Sequence, residues 1–283
     1  MGQAMTARTA DLLVLLAALI WGLAYLAQKT AMADVGPYAF VAMRASIAAL
    51  VLAPFAWREG VPPLRLTLLG GAMFFAAVTI QQVGIVTASV TNTAFLTAVY
   101  IVLAPLMALV LWRRGAGWRI WLGAALALAG AFALAGGRLD SFGPGDWLVL
   151  ASSIGWAGYM LVTEKAGLAA RPLSYTAGVF VVVAACAWPL AIADGLPPLA
   201  SLTPALPEIL YVGILSSAVT FGLMAVAMRH IQSSRAAILL SAEALFAALF
   251  AALLLGERLA PLGLAGAGLI LTAVVLIQTG PRR

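Results

Sequence analysis

The chain has 283 residues, 64% hydrophobic and only 9% charged, with a net charge of +6. A soluble domain carries about 25% charged residues, so a water-soluble fold is excluded, and the recurring apolar runs of about 20 residues specify a polytopic helical membrane protein. The basic balance belongs to loops at a membrane face rather than to a nucleic-acid partner; a lone cysteine, Cys186, forms no internal disulfide, and a lone histidine, His230, builds no zinc cluster.

In chain order, residues 1–9 carry no pattern and are expected to be mobile, within a short cytoplasmic segment at 1–10. Ten spans follow, at 11–31, 37–57, 66–87, 92–112, 118–137, 146–165, 173–194, 207–228, 235–255 and 260–279. The expected fold class is all-α, with ten transmembrane helices. The opening run is too long for the apolar core of a signal peptide, and it recurs internally. Gly36-Pro37, Pro62-Pro63, Gly143-Pro144-Gly145, Arg171-Pro172 and Pro197-Pro198 mark breaks between spans. Alternation with period two, the mark of a β-barrel, is missing from the runs.

Residues 11–30, DLLVLLAALIWGLAYLAQKT, return at 146–165 as DWLVLASSIGWAGYMLVTEK. An offset of 135 carries Asp11 to Asp146, Trp21 to Trp156 and Pro37 to Pro172. Later the offset becomes 143, carrying Gly70 to Gly213, Tyr100 to Glu243 and Gly123 to Gly266. Such self-similarity marks a duplicated fold. It predicts one five-helix repeat over 11–137, a linker at 138–145, a second repeat over 146–279 and a C-terminal segment at 280–283. The extra residues of the second half are placed in the connection 194–207. Five crossings are an odd number, so the second repeat inserts upside down, which is the architecture of alternating-access carriers. Twelve Lys and Arg residues fall on the side of the termini and three on the other, which puts both termini in the cytoplasm.

Most tryptophans lie near span ends, as an aromatic belt requires. Trp21 and Trp156 instead lie ten residues into their spans, roughly 15 Å deep at 1.5 Å per residue. Trp21, Tyr25 and Gln28 share a helix face, as do Ser152, Trp156, Tyr159 and Thr163. Facing lipid, these polar tips would go unpaired. The faces therefore line a cavity or pack beside Gly22, Gly155 and Gly158.

Two charges, Glu243 and Arg44, lie inside spans, each at a cost of about 2.5–3.5 kcal/mol at a helix centre. Glu243 is a candidate proton carrier or partner for a substrate ammonium, and Arg44 a candidate partner for a carboxylate. The alternative for each is a structural anchor, favoured for Arg44 because an arginine near a helix end can snorkel. Asn92 and Tyr100 share a face of the fourth span, and Gln81-Gln82 end the third nearby. Gln82, Asn92 and Tyr100 are candidates to line a polar path or to tie helices together. Gly123 with Ala127, and Gly268 with Thr272, are small pairs that permit close helix approach.

Trp21-Gly22, Gln28-Lys29, Pro37, Arg44 and Pro54, then TNTAFLTAVYIVLAP over 91–105, then Glu243 and Leu255-Gly256-Glu257-Arg258-Leu259, resemble in order and spacing the EamA-type members of the drug/metabolite transporter superfamily. The resemblance covers essentially the whole chain. One departure is Ala244, where the family often has proline. The resemblance implies a ten-helix inverted-repeat carrier of the inner membrane, similar to exporters of aromatic amino acids, with helices 1, 3, 4, 6, 8 and 9 around a central cavity. The expected function is export of aromatic or neutral amino acids, or similar small metabolites, by alternating access. The expected substrate contacts are Trp21, Tyr25, Gln82, Asn92, Tyr100, Trp156, Tyr159 and Glu243, with Arg44 a candidate charge partner and proton coupling a further option. Cofactors, metals and catalytic residues are not expected, and the partners are a small-molecule substrate and membrane lipid. Export of drugs or cationic metabolites is the rival within this class. Outside it stand a simple pore and an intramembrane enzyme, the latter without a G-x-S-x-G or H-E-x-x-H motif to support it.

Overall fold

The computed structural model describes residues 5–138, 142–169, 171–255 and 259–280. All regular structure among them is helical, as a bilayer requires of a chain that must satisfy its own backbone groups. The first expected span is two helices, α1 (Ala7–Trp21) and α2 (Ala24–Val35). Thr6 caps α1, its Oγ1 accepting from the Thr9 N–H at 3.2 Å. Gly36, at φ 78°, ends α2, and Pro37 opens α3 (Pro37–Glu59). Then come α4 (Leu64–Thr87), α5 (Val90–Ala98), α6 (Tyr100–Trp112) and α7 (Trp118–Leu134). The second half runs α8 (Pro144–Gly167), α9 (Pro172–Asp194), α10 (Leu199–Leu210), a π-helical segment (Tyr211–Val219), α11 (Thr220–Ala227), α12 (Ser233–Leu240), α13 (Ala242–Leu255) and α14 (Pro261–Gln278).

Among the described residues, seven stretches are long and apolar enough to cross a membrane: α3, α4, α5–α6, α9, α10–α11, α12–α13 and α14. The other expected spans are the interrupted α1–α2, the 17-residue α7, and α8, which carries Asp146, Glu164 and Lys165. Four spans expected to be continuous are interrupted, at Gly22-Leu23, at Val99, through the π segment and at Ser241. The last break needs no proline. Ser241 Oγ donates to the Ile238 carbonyl at 2.6 Å, the local competition that loosens a helix. Residues 199–206, expected in a connection, are helical, and α10 packs on α2. Residues 7–9, expected in a mobile tail, are also helical, and Ala10 beside them is fully buried.

Helix packing follows the duplication. Repeat-equivalent α3 and α9 pack along each other, as do α7 and α14. Trp188 Nε1 donates to Ser46 Oγ at 3.0 Å, while at the other end the Ser174 N–H donates to Glu59, so α3 and α9 are antiparallel. Gly123 meets Ile277 and Gly130 meets Gly266, so α7 and α14 are antiparallel too. Equivalent helices that run in opposite directions make the two halves inverted copies. The remaining large pairings exchange under the same relation: α4 packs on α8, and α1 packs on α11. Gly84 lies against the Gly145 carbonyl where α4 meets α8. Ala10 and Ala227 hold the equivalent places, and both are fully buried. Gly268, by contrast, faces open space, and Thr272 beside it is exposed, so that pair permits no close approach here. Leu50, Val110, Leu253 and Leu271 lie on the outer surface, where lipid is their solvent.

Candidate functional site

The α1–α2 break is held from the second half of the chain. Gly22 lies so close to α13 that a Cβ there would meet the Ala247 nitrogen and Phe246 Cβ at 2.9 Å. Ile20, near the end of α1, keeps a carbonyl that no longer closes a helical turn, and Tyr211 Oη donates to it at 2.5 Å. Trp21 then points its Nε1 at the Ser216 carbonyl, 2.9 Å away in the π segment. Pi-helical turns inside helices gather at functional sites. This one brings Ser216 to the wall of a cavity and Ser217 to a hydrogen bond with Arg44.

The cavity lies between the halves, lined on one side by Trp21, Gln28, Arg44, Gln81 and Tyr100 and on the other by Trp156, Tyr159, Phe221 and Glu243. Its apolar wall is a cluster of rings. Phe221 stacks on Trp156 at 6.0 Å and 15°, and meets Trp21 at 4.9 Å. Phe74 backs them, edge-on to Trp156 at 5.0 Å and to Tyr159 at 5.1 Å. Trp156 Nε1 donates to Gln81 Oε1 at 3.2 Å, and Gln81 Nε2 donates to Thr97 Oγ1 at 2.8 Å. Each midplane tryptophan is thus held by a polar partner from the opposite half. The Tyr159 hydroxyl has no hydrogen-bond partner among the described residues, and an unmet buried hydroxyl costs about 1–3 kcal/mol.

The polar wall centres on Arg44. It is 4% exposed, so it does not snorkel. Nη1 donates to Gln28 Oε1 at 3.0 Å, and Nε and Nη2 donate to Ser217 Oγ at 3.1 and 2.9 Å. Both acceptors are neutral. The two ion pairs among the described residues, Arg114 with Glu164 and Arg235 with Asp11, lie elsewhere. The guanidinium therefore faces the cavity as a buried cation with no carboxylate on it among the described residues. The open space is narrow, about 70 Å³, well below the roughly 300 Å³ at which ligand pockets begin. A solute of amino acid size enters only when the walls part.

Of the residues expected to meet substrate, the structure brings Trp21, Tyr100, Trp156, Tyr159 and Glu243 together, with Arg44. The Tyr25 side chain lies outside the described residues, as does the segment Gly256–Arg258. Gln82 stands behind the wall, fully buried, its Nε2 donating to Gln28 Oε1. Its neighbour Gln81 lines the cavity instead. Asn92 is also away from the cavity, with its Nδ2 donating to Asp146 Oδ1 at 2.9 Å. Phe221 and Thr97 are wall residues that sequence reasoning missed. Among the described residues, no three His, Cys, Asp or Glu side chains group to hold a metal ion.

An inverted pair of helical repeats around a buried polar-aromatic cavity defines a membrane transporter. The EamA-like transporter family matches the chain twice, at residues 8–136 and 143–279, and the chain belongs to that family. It is 29% identical to an uncharacterized transporter of Archaeoglobus fulgidus, over 95% of this chain and 85% of the relative. It is also 29% identical to the uncharacterized transporter YwfM of Bacillus subtilis, over 96% and 95%. A solved crystal structure superposes with a TM-score of 0.81 over 95% of this chain and 96% of the other at 19% identity, a likeness of fold alone.

Proposed function

We propose that the protein is a secondary transporter that exports amino acids with aromatic or other apolar side chains, or similar small metabolites, across the inner membrane by alternating access, with both termini in the cytoplasm. The observation that carries the substrate class is Arg44, a buried cation on the cavity wall whose hydrogen-bond partners among the described residues are all neutral. A carboxylate on the solute completes it. Glu243 on the same cavity suits the ammonium of a zwitterion or a coupled proton, and the rings of Trp21, Trp156 and Phe221 suit an apolar side chain. Outward direction follows the resemblance to amino acid exporters.

Glu243 also supports the rival, export of a drug or cationic metabolite. One experiment separates the two. Proteoliposomes are loaded with labelled phenylalanine, tryptophan, leucine or alanine, and efflux is followed with and without a pH gradient. Competitors are the parent amino acid, its carboxamide and a quaternary amine. Much stronger competition by the amino acid than by the amide supports the zwitterion; competition by the quaternary amine alone overturns it. Trp156→Ala removes the face on which Phe221 stacks and the donor to Gln81. It is expected to cut flux by roughly tenfold, about 1.4 kcal/mol, with little loss of folded protein by size-exclusion chromatography. Unchanged flux would remove Trp156 from the site.

A further inference from the structure

Asp11 lies ten residues before Trp21 on α1, and Asp146 ten residues before Trp156 on α8. Each is about 15 Å along its helix from the cavity. Each also crosses to the first turn of another helix that later reaches the cavity. Asp11 Oδ1 and Oδ2 accept from Arg235 Nε and Nη2 on α12 at 2.8 and 2.7 Å. Asp146 Oδ1 accepts from Asn92 Nδ2 on α5 at 2.9 Å. The acids are equivalent at the offset of 135, and Asn92 and Arg235 are equivalent at 143. One contact is therefore the other turned over by the repeat, and the inversion sets them on opposite sides of the cavity. We propose that they are the paired latches of the carrier, one closing each mouth, and that the difference in charge between them biases which mouth is closed at rest.

All four side chains are buried, from 1% exposed at Asn92 to 8% at Arg235, so bulk water competes with neither contact. None of the four lines the cavity. The Asp11–Arg235 contact is a guanidinium forked on a carboxylate, charged on both sides, whereas an amide brings no charge to Asp146. Further charge ties the same mouth. Glu164 on α8 accepts from the Ser233 N–H and hydroxyl at 2.8 and 2.5 Å, and it pairs with Arg114. The N-terminus of α12 is thereby capped from another helix. The N-terminus of α5 is capped locally, Ser89 Oγ accepting from the Asn92 N–H at 3.0 Å. Both latches are made in this structure, in keeping with its narrow cavity. Transport opens them in turn, and the difference in charge between the two contacts sets which opens the more readily.

The inference rests on alternating access but not on the identity of the substrate, and its test reads accessibility. In a Cys186→Ser background, Leu239→Cys and Leu96→Cys place equivalent reporters one turn past Arg235 and Asn92, at sites 0% and 4% exposed. Each is labelled from either side of oriented proteoliposomes with a membrane-impermeant maleimide. Arg235→Asn is expected to raise labelling at Leu239→Cys by roughly tenfold and to lower it at Leu96→Cys. Asn92→Arg, which gives the second latch a charge pair, is expected to lower labelling at Leu96→Cys. The exchange Asp11→Arg with Arg235→Asp is expected to restore the parental pattern. If Arg235→Asn moves both reporters in the same direction, or neither, the latches are overturned. Should that variant not fold, Asn92→Arg without effect at Leu96→Cys overturns them equally. A parental reporter labelled from both faces alike is the signature of a pore, and removes the carrier reading together with the latches.

Discussion

Replacing Arg44 by glutamine is expected to lower efflux of an amino acid by about a hundredfold, the loss of a charge-assisted contact worth roughly 2–3 kcal/mol. Efflux of the corresponding carboxamide is expected to change little. The contrast matters because Arg44 also ties α3 to α2 and to the π segment through Gln28 and Ser217. A purely structural arginine would lower both fluxes, and the amount of folded protein, together. Ser217→Glu provides the converse. It sets a carboxylate where the hydroxyl now accepts from Nε and Nη2, so the protein satisfies its own cation. Loss of amino acid efflux with folded protein retained is the expected result. Amino acid efflux that survives both substitutions would show that no substrate carboxylate meets Arg44.

The largest effect on stability is expected at Gly266. A Cβ there would lie 2.6 Å from both the Gly130 carbonyl oxygen and the Leu134 nitrogen. Both are backbone atoms, so no side chain can turn aside. Gly266→Val forces α14 away from α7 along their whole contact. Overpacking alone costs about 1–3 kcal/mol, and separating two helices that have no hydrophobic drive to associate in lipid adds to it. Loss of monodisperse protein on detergent extraction is the expected outcome. Gly268→Val, two residues along the same helix, meets nothing within 4 Å. Its stability is expected to stay within about 0.5 kcal/mol of the parent, measured by thermal aggregation in detergent. Equal behaviour of the two variants would mean that the α7–α14 contact does not hold the fold.

The class of fold was legible because the bilayer leaves few choices. Apolar runs that long become helices, and an odd number of crossings turns a duplicate over. The interruptions were not legible. Val99 and Ser241 break helices without a nearby glycine or proline; at Ser241 the side chain competes for the Ile238 carbonyl, and a single serine in an apolar run does not announce a break. The two midplane tryptophans were readable from depth and from the repeat. The choice between Gln81 and Gln82 was not. One residue is about 100° around a helix, and α4 is apolar on nearly every side, so no stripe says which face is internal. Asn92 was misplaced for another reason. It shares a helix face with Tyr100, but the same offset that carries Tyr100 to Glu243 carries Asn92 to Arg235. Once the Asp11–Arg235 contact is known, that arithmetic applied to both its ends pairs Asn92 with Asp146.

The exchange of helices between halves has a consequence for biosynthesis. Trp21 and the carbonyl that receives its indole N–H are 195 residues apart in the chain. At translation rates of about 5–20 residues per second, α1 waits in the bilayer for roughly 10–40 s before α11 is made. During that interval Trp21, Arg44 and the break after α1 are without the second half. The first repeat therefore meets lipid without its twin over that interval, and if the two halves were expressed from separate genes, each is expected to mature only when the other is present.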